Sequence, residues 1–150
     1  MEKKKEIGFK LIHIKTEQFA LLEDNYAANK PINITTSLEF KSNNEGRMVG
    51  SFVDFTFEQE KKLIIKIQVS CHFKIQNDSW KSFTKEATSA IIIPKGFLAH
   101  LAMLTIGTTR GVLFAKTEGT PFAEIIIPTI DVTTIVKKDA KFEIKNDSKS

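Results

Sequence analysis

The chain has 150 residues, a formal charge of +4 and a single cysteine. That length implies one domain able to fold without staples, and one cysteine excludes an intrachain disulfide and a four-cysteine zinc site. The charge excess sits mostly at the two ends, and the nearly balanced span between them argues against a basic patch for nucleic acid.

Residues 1–150 are expected to form a single domain, with 1–6 and 137–150 as mobile polar tails. No apolar h-region follows the charged start. Purely apolar runs such as Ile91–Ile93 and Ile125–Ile127 are far shorter than a membrane span. The thiol count fits a reducing cytoplasm.

Phe9 to Leu22 reads as a strand with blurred alternation. Phe9 and Leu11 share one phase, Ile12 and Ile14 take the other, and Phe19 and Leu21 return to the first, as a bulge or bend would produce. A loop rich in Asn and Ala then runs from Glu23 to Pro31. The next strand places Ile32, Ile34, Leu38 and Phe40 on one face. The turn Ser42-Asn43-Asn44-Glu45-Gly46 leads to another, Val49 to Phe57. The fourth is the clearest: Leu63, Ile65, Ile67, Val69, Cys71, Phe73 and Ile75 are apolar and in one phase. Short links make the last three strands antiparallel neighbours, with one face packed and one wet.

Asn77-Asp78-Ser79 marks a turn, and Trp80 to Ala90 is ambiguous, with room for a short helix. Pro94 suits the opening of a helix that reads from Phe97 to Thr117, with Gly119 at its end and Pro121 forbidding continuation. Phe122 to Val136 reads as extended and β-rich, broken by Pro128. The helix is apolar on two stripes, so a second surface must cover what the sheet does not. Gly107 and Gly111, one turn apart beside Thr108 and near Leu104, open a helix face to close approach, within the chain or between subunits.

No catalytic constellation emerges. His13, His72 and His100 have no metal-ligand spacing, and Cys71 falls in the apolar phase of its strand as an inert core thiol. Gly107-Thr108-Thr109-Arg110-Gly111 lacks the Gly-Lys-Ser/Thr ending of a phosphate loop. Arg110 and Lys116 suit a helix C-terminus, with Glu118 as an ion-pair partner. No metal or cofactor is implied, and an enzyme is not expected. What stands out is phenylalanine, twelve residues against one Trp and one Tyr. Some of them are expected to line a groove for apolar segments of other proteins.

The order of elements resembles the SecB export-chaperone family: four antiparallel strands, then a helix, then a proline-marked extended segment. Phe9 with Ile14-Lys15-Thr16-Glu17-Gln18-Phe19 resembles that family's first strand. His72-Phe73-Lys74-Ile75 resembles its exit from the fourth strand. Gly119-Thr120-Pro121-Phe122, Ile127-Pro128 and Asp131 resemble its run after the long helix. The order Pro121-Phe122 is inverted relative to the family, and its Cys-Pro before the helix is represented by Pro94 alone, after Ile93. The acidic sheet surface that docks the SecA motor is not evident, and the family's final helix has no counterpart.

The resemblance implies an α+β fold and a cytoplasmic holdase for unfolded or precursor polypeptides, acting in protein export as a homo-oligomer, a tetramer or dimer, with a translocase motor as a further partner. The residues expected to bind peptide are Phe19, Leu21, Phe83, Phe97, Phe122 and Ile126. Those expected at a subunit interface are Gly107, Gly111, Thr108 and Leu104. Two alternatives keep the absence of chemistry: a dedicated chaperone of an antitoxin, and an oligomeric adaptor that binds one folded partner.

Overall fold

The computed structural model describes residues 6–85 and 89–144; most of the N-terminal tail and the last six residues of the C-terminal tail lie outside the described residues. Four strands, β1 (Phe9–Leu21), β2 (Asn33–Asn43), β3 (Met48–Gln59) and β4 (Lys62–Ile75), form one antiparallel sheet in the spatial order β1-β4-β3-β2. The unbroken alternation of β4 earns it a central place. Ile65, Ile67, Val69, Cys71, Phe73 and Ile75 are all fully buried on one face. Gln59 pairs with Lys62, so Glu60 and Lys61 form a two-residue hairpin loop. Both have positive φ, 50° and 67°, as a turn matched to the strand twist requires.

The blurred alternation of β1 has a definite cause. Its pairing with β4 slips between Leu11 and His13 and again between Thr16 and Gln18. Each slip inserts one residue and reverses the phase. Phe9, Leu11, Ile14, Thr16, Phe19 and Leu21 therefore all lie opposite the buried residues of β4, on the same face.

After the sheet come α1 (Asn77–Phe83), β5 (Thr84–Lys85), β6 (Ala90–Ile93), α2 (Lys95–Thr117) and β7 (Ala140–Glu143). α2 starts directly after Pro94, which holds the N-cap with extended backbone. It stops at Glu118, and Gly119 takes the left-handed conformation (φ 75°) that terminates helices cheaply. Phe97, Leu98, Leu101, Ala102, Ile106 and Leu113 pack it onto β3 and β4. By length and composition α2 would suffice to cross a membrane, which a search for purely apolar runs does not reveal; here half of that apolar window is buried inside the fold.

Two stretches differ from expectation. Residues 140–143, expected in a frayed tail, form β7 and pair with β6, completing a second sheet in the order β5-β6-β7. Phe142 lies opposite Ile91 and packs at the edge of the core, which offsets the polarity of its neighbours. Residues 122–136, expected to be β-rich, form no sheet ladder. They are held by Phe122, Ile127, Val132 and Val136, all buried, and by Arg110. The Arg110 guanidinium donates to the Ile127 carbonyl at 2.8 Å and to the Pro128 carbonyl at 2.9 Å. It thus ties the segment to the helix rather than pairing with Glu118.

Candidate peptide-binding face

The sheet offers four strands on its helix side, but α2 lies over β3 and β4. The middle of β1 is left bare. Leu11 and Ile14 are 45% and 46% exposed, although their partners on β4, Phe73 and Cys71, are fully buried. The two ends of β1 are covered. The Phe9 ring lies 5.2 Å from Phe97 and 5.7 Å from His100, and the Lys116 ammonium sits 5.1 Å from the centre of the Phe19 ring. α2 therefore runs alongside β1, its first turns at Phe9 and its last turns at Phe19.

His100, Leu104, Thr108, Gly111 and Ala115 follow one another at spacings of three and four, so they occupy the helix side turned toward β1. Leu104 is 40% exposed there. The Thr108 hydroxyl donates back to the Leu104 carbonyl at 2.9 Å, which leaves it without an unmet donor. Leu11 and Ile14 form the floor of this strip and Leu104 its wall. Around the helix to its outward side Met103 and Phe114 are more than half exposed, with Gly107, Arg110 and Gly111 between them. No charged residue occurs from Gly96 to Thr109. Bare apolar side chains gathered in one region make this face the candidate binding site.

The structure separates the six residues expected to bind peptide. Phe19 and Leu21 are half-buried at the far end of the strip, and Ile126 is well exposed on the segment after α2. Phe83, Phe97 and Phe122 are core residues instead. Phe83 packs between Trp80 and Phe97, with ring centres 6.1 and 5.9 Å away. Phe122 is fully buried against Tyr26, 4.7 Å between ring centres. Burying each such ring contributes roughly 1.5–3 kcal/mol, so none is available to a ligand without unfolding its surroundings.

The residues expected at a subunit interface all lie on the accessible part of α2. A Cβ placed on Gly107 or Gly111 would meet nothing within 4 Å. No described element of this chain approaches them, so the close approach they permit is not used within the chain. Leu11, Ile14, Met103 and Phe114 were not singled out from sequence as site residues. The absence of charge from Gly96 to Thr109 was the available signal for the helix residues.

The opposite face of the sheet is polar. Topology brings His13 and His72 directly across from each other, ring centres 5.5 Å apart, which their sequence separation hides. The Ser70 hydroxyl donates to Glu17 at 2.9 Å and lies 2.9 Å from His72 Nε2. Burial, then the neighbouring His13, pushes the His72 pKa below its ordinary value; Glu17 opposes this and Lys15 reinforces it. Among the described residues no three His, Cys, Asp or Glu side chains gather as a metal site. Cys71 is buried and unpaired, as its strand phase predicts.

No protein-family model matches this chain, and no curated protein does. Among solved structures it is similar to a SecB-like chaperone of Mycobacterium tuberculosis, solved in complex with a ChAD peptide from the HigA1 antitoxin. The identity is 7%, the match covers 82% of this chain and 91% of that chain, and the TM-score is 0.44.

Proposed function

We propose that this protein is a SecB-like holdase that binds apolar segments of unfolded polypeptides along the strip between β1 and α2. The observation that carries the reading is the bare centre of β1 beside the uncharged side of α2: Leu11, Ile14 and Leu104 are exposed next to the buried core. An extended client segment laid there would bury apolar side chains on both sides, at about 25 cal/mol per Å² before ordering costs. Binding without covalent chemistry or nucleotide suits a surface built mainly of apolar side chains. The resemblance of residues 9–132 to the SecB family supports the same reading. The outward stripe of α2, with Gly107 and Gly111, is then the face on which subunits meet, and the cytoplasm is the compartment we assign.

A narrower reading keeps the same strip and restricts it to one client, as a dedicated antitoxin chaperone would. The strip is formed mainly by apolar contact, with Lys116 at its far end, which favours the general reading. A chemically unfolded test protein is diluted into buffer with and without this protein at matched subunit concentration, and light scattering is followed while oligomeric mass is read on the same preparation. The general reading expects suppressed scattering by an oligomer. Normal aggregation removes it and leaves a dedicated partner or an adaptor.

A further inference from the structure

Where β1 begins and β4 ends, a cleft of about 390 Å³ opens at the edge of the sheet. Three cations from three different parts of the chain line it: Lys10 of β1, Arg47 of the turn before β3 and Lys74 of β4. No acidic residue lines it, and among the described residues none of the three cations makes an ion pair.

The chain bears two local costs to hold them together. Lys10 and Lys74 are direct partners across the antiparallel ladder, where like charges repel. Arg47 has a left-handed backbone, φ 51°, which is strained for a residue with a side chain. Uncompensated repulsion and local strain converging on one cleft point to a function for it. The geometry also fixes the arginine. Its Nε donates to the Ile75 carbonyl at 3.2 Å while its own carbonyl accepts from the Ile75 amide at 2.9 Å. The two terminal nitrogens of the guanidinium are left without a partner among the described residues.

We infer that this cleft is an anion site for a small phosphomonoester, distinct from the apolar strip. A planar guanidinium held by its Nε presents a fork to two phosphoryl oxygens, and two lysine point charges complete the neutralisation of a dianion. A single carboxylate would leave most of the positive charge unanswered. The cleft is larger than a bare phosphate needs, which leaves room for the organic part of the ester.

Calorimetric titration of the full chain at constant ionic strength tests this, with phenyl phosphate, inorganic phosphate and acetate as probes. Phenyl phosphate is expected to bind more tightly than inorganic phosphate, and acetate not to bind. Lys74→Gln and Arg47→Gln are each expected to weaken phenyl phosphate binding at least tenfold. Because Lys74→Gln also removes the like-charge pair, its melting temperature without ligand should equal or exceed that of the wild type. Absence of phosphate binding, equal binding of acetate, or unchanged affinity in both variants overturns the site. Equal affinity for phenyl and inorganic phosphate overturns the phosphomonoester assignment.

Discussion

Helix α2 has two apolar sides with different fates. On one, Phe97, Leu98, Leu101, Ile106 and Leu113 are buried under the sheet; on the other, Met103, Leu104 and Phe114 face outward. The two sides are chemically alike, and no charge marks the boundary between them over the stretch Gly96 to Thr109. What separates them is the width of the sheet surface that the helix can cover. One helix about 10 Å across spans two strands spaced roughly 5 Å apart, not four. The uncovered remainder falls on β1, on Ile34 of β2 and on the outward helix face, and binding is proposed on β1 and the helix.

The largest expected effect comes from cutting into the covered side. Leu101→Ala should cost about 2–5 kcal/mol in urea unfolding, since Leu101 is fully buried. Leu104→Ala on the bare side should change stability by no more than about 0.5 kcal/mol while weakening client binding. If the two substitutions cost the same, the sides are equally covered in the working protein and the strip is not free.

Gly107→Ala gives a smaller effect of opposite sign. With nothing within 4 Å of the added Cβ, the isolated subunit should gain up to about 1 kcal/mol from helix propensity, read as a higher melting temperature. If Gly107 sits in a tight subunit contact, the same methyl group should lower the oligomeric mass in light scattering.

Much of this arrangement was legible in the sequence. The strict phase of β4, the disturbed phase of β1 and the Gly119 stop are written in local spacing, and the structure explains each by local geometry. The division of the phenylalanines is not local. Twelve residues of one type say that apolar surface is abundant but not which rings find partners; Phe122 is buried because Tyr26, far away in the chain, lies against it. Strand β7 escaped notice because Ala140-Lys141-Phe142-Glu143 is short and polar, and its partner β6 lies about fifty residues earlier. Leu11 and Ile14 are recognisable strand residues, but whether anything lies above them is a property of the helix.

A pH test separates the apolar strip from the polar face of the sheet. The folded-state pKa of His72 lies below its ordinary value of 6.5, so the unfolded chain binds the extra proton more readily. Stability should be fully present above pH 6.5 and decline as pH falls from there through the folded pKa. In urea titrations His72→Gln should flatten that decline without altering client binding at neutral pH. A steeper decline in the variant would contradict the assignment.

The smallest effect is expected at Ser51, whose hydroxyl is buried with no hydrogen-bond partner in the described structure. Ser51→Ala should leave stability unchanged or raise it by up to about 1 kcal/mol, because it removes an unmet polar group from the covered interior. A clear loss would show that the hydroxyl has a partner after all.

The most direct test of the central claim is fluorescence anisotropy of a labelled, unstructured peptide rich in Leu and Phe, titrated with the wild type and with Ile14→Asp. Ile14 is accessible in the fold, so the variant should melt within a few degrees of the wild type. The account predicts saturable binding by the wild type and at least tenfold weaker binding by the variant. Equal binding by both would place the client elsewhere on the molecule, and no binding by either would contradict the holdase reading.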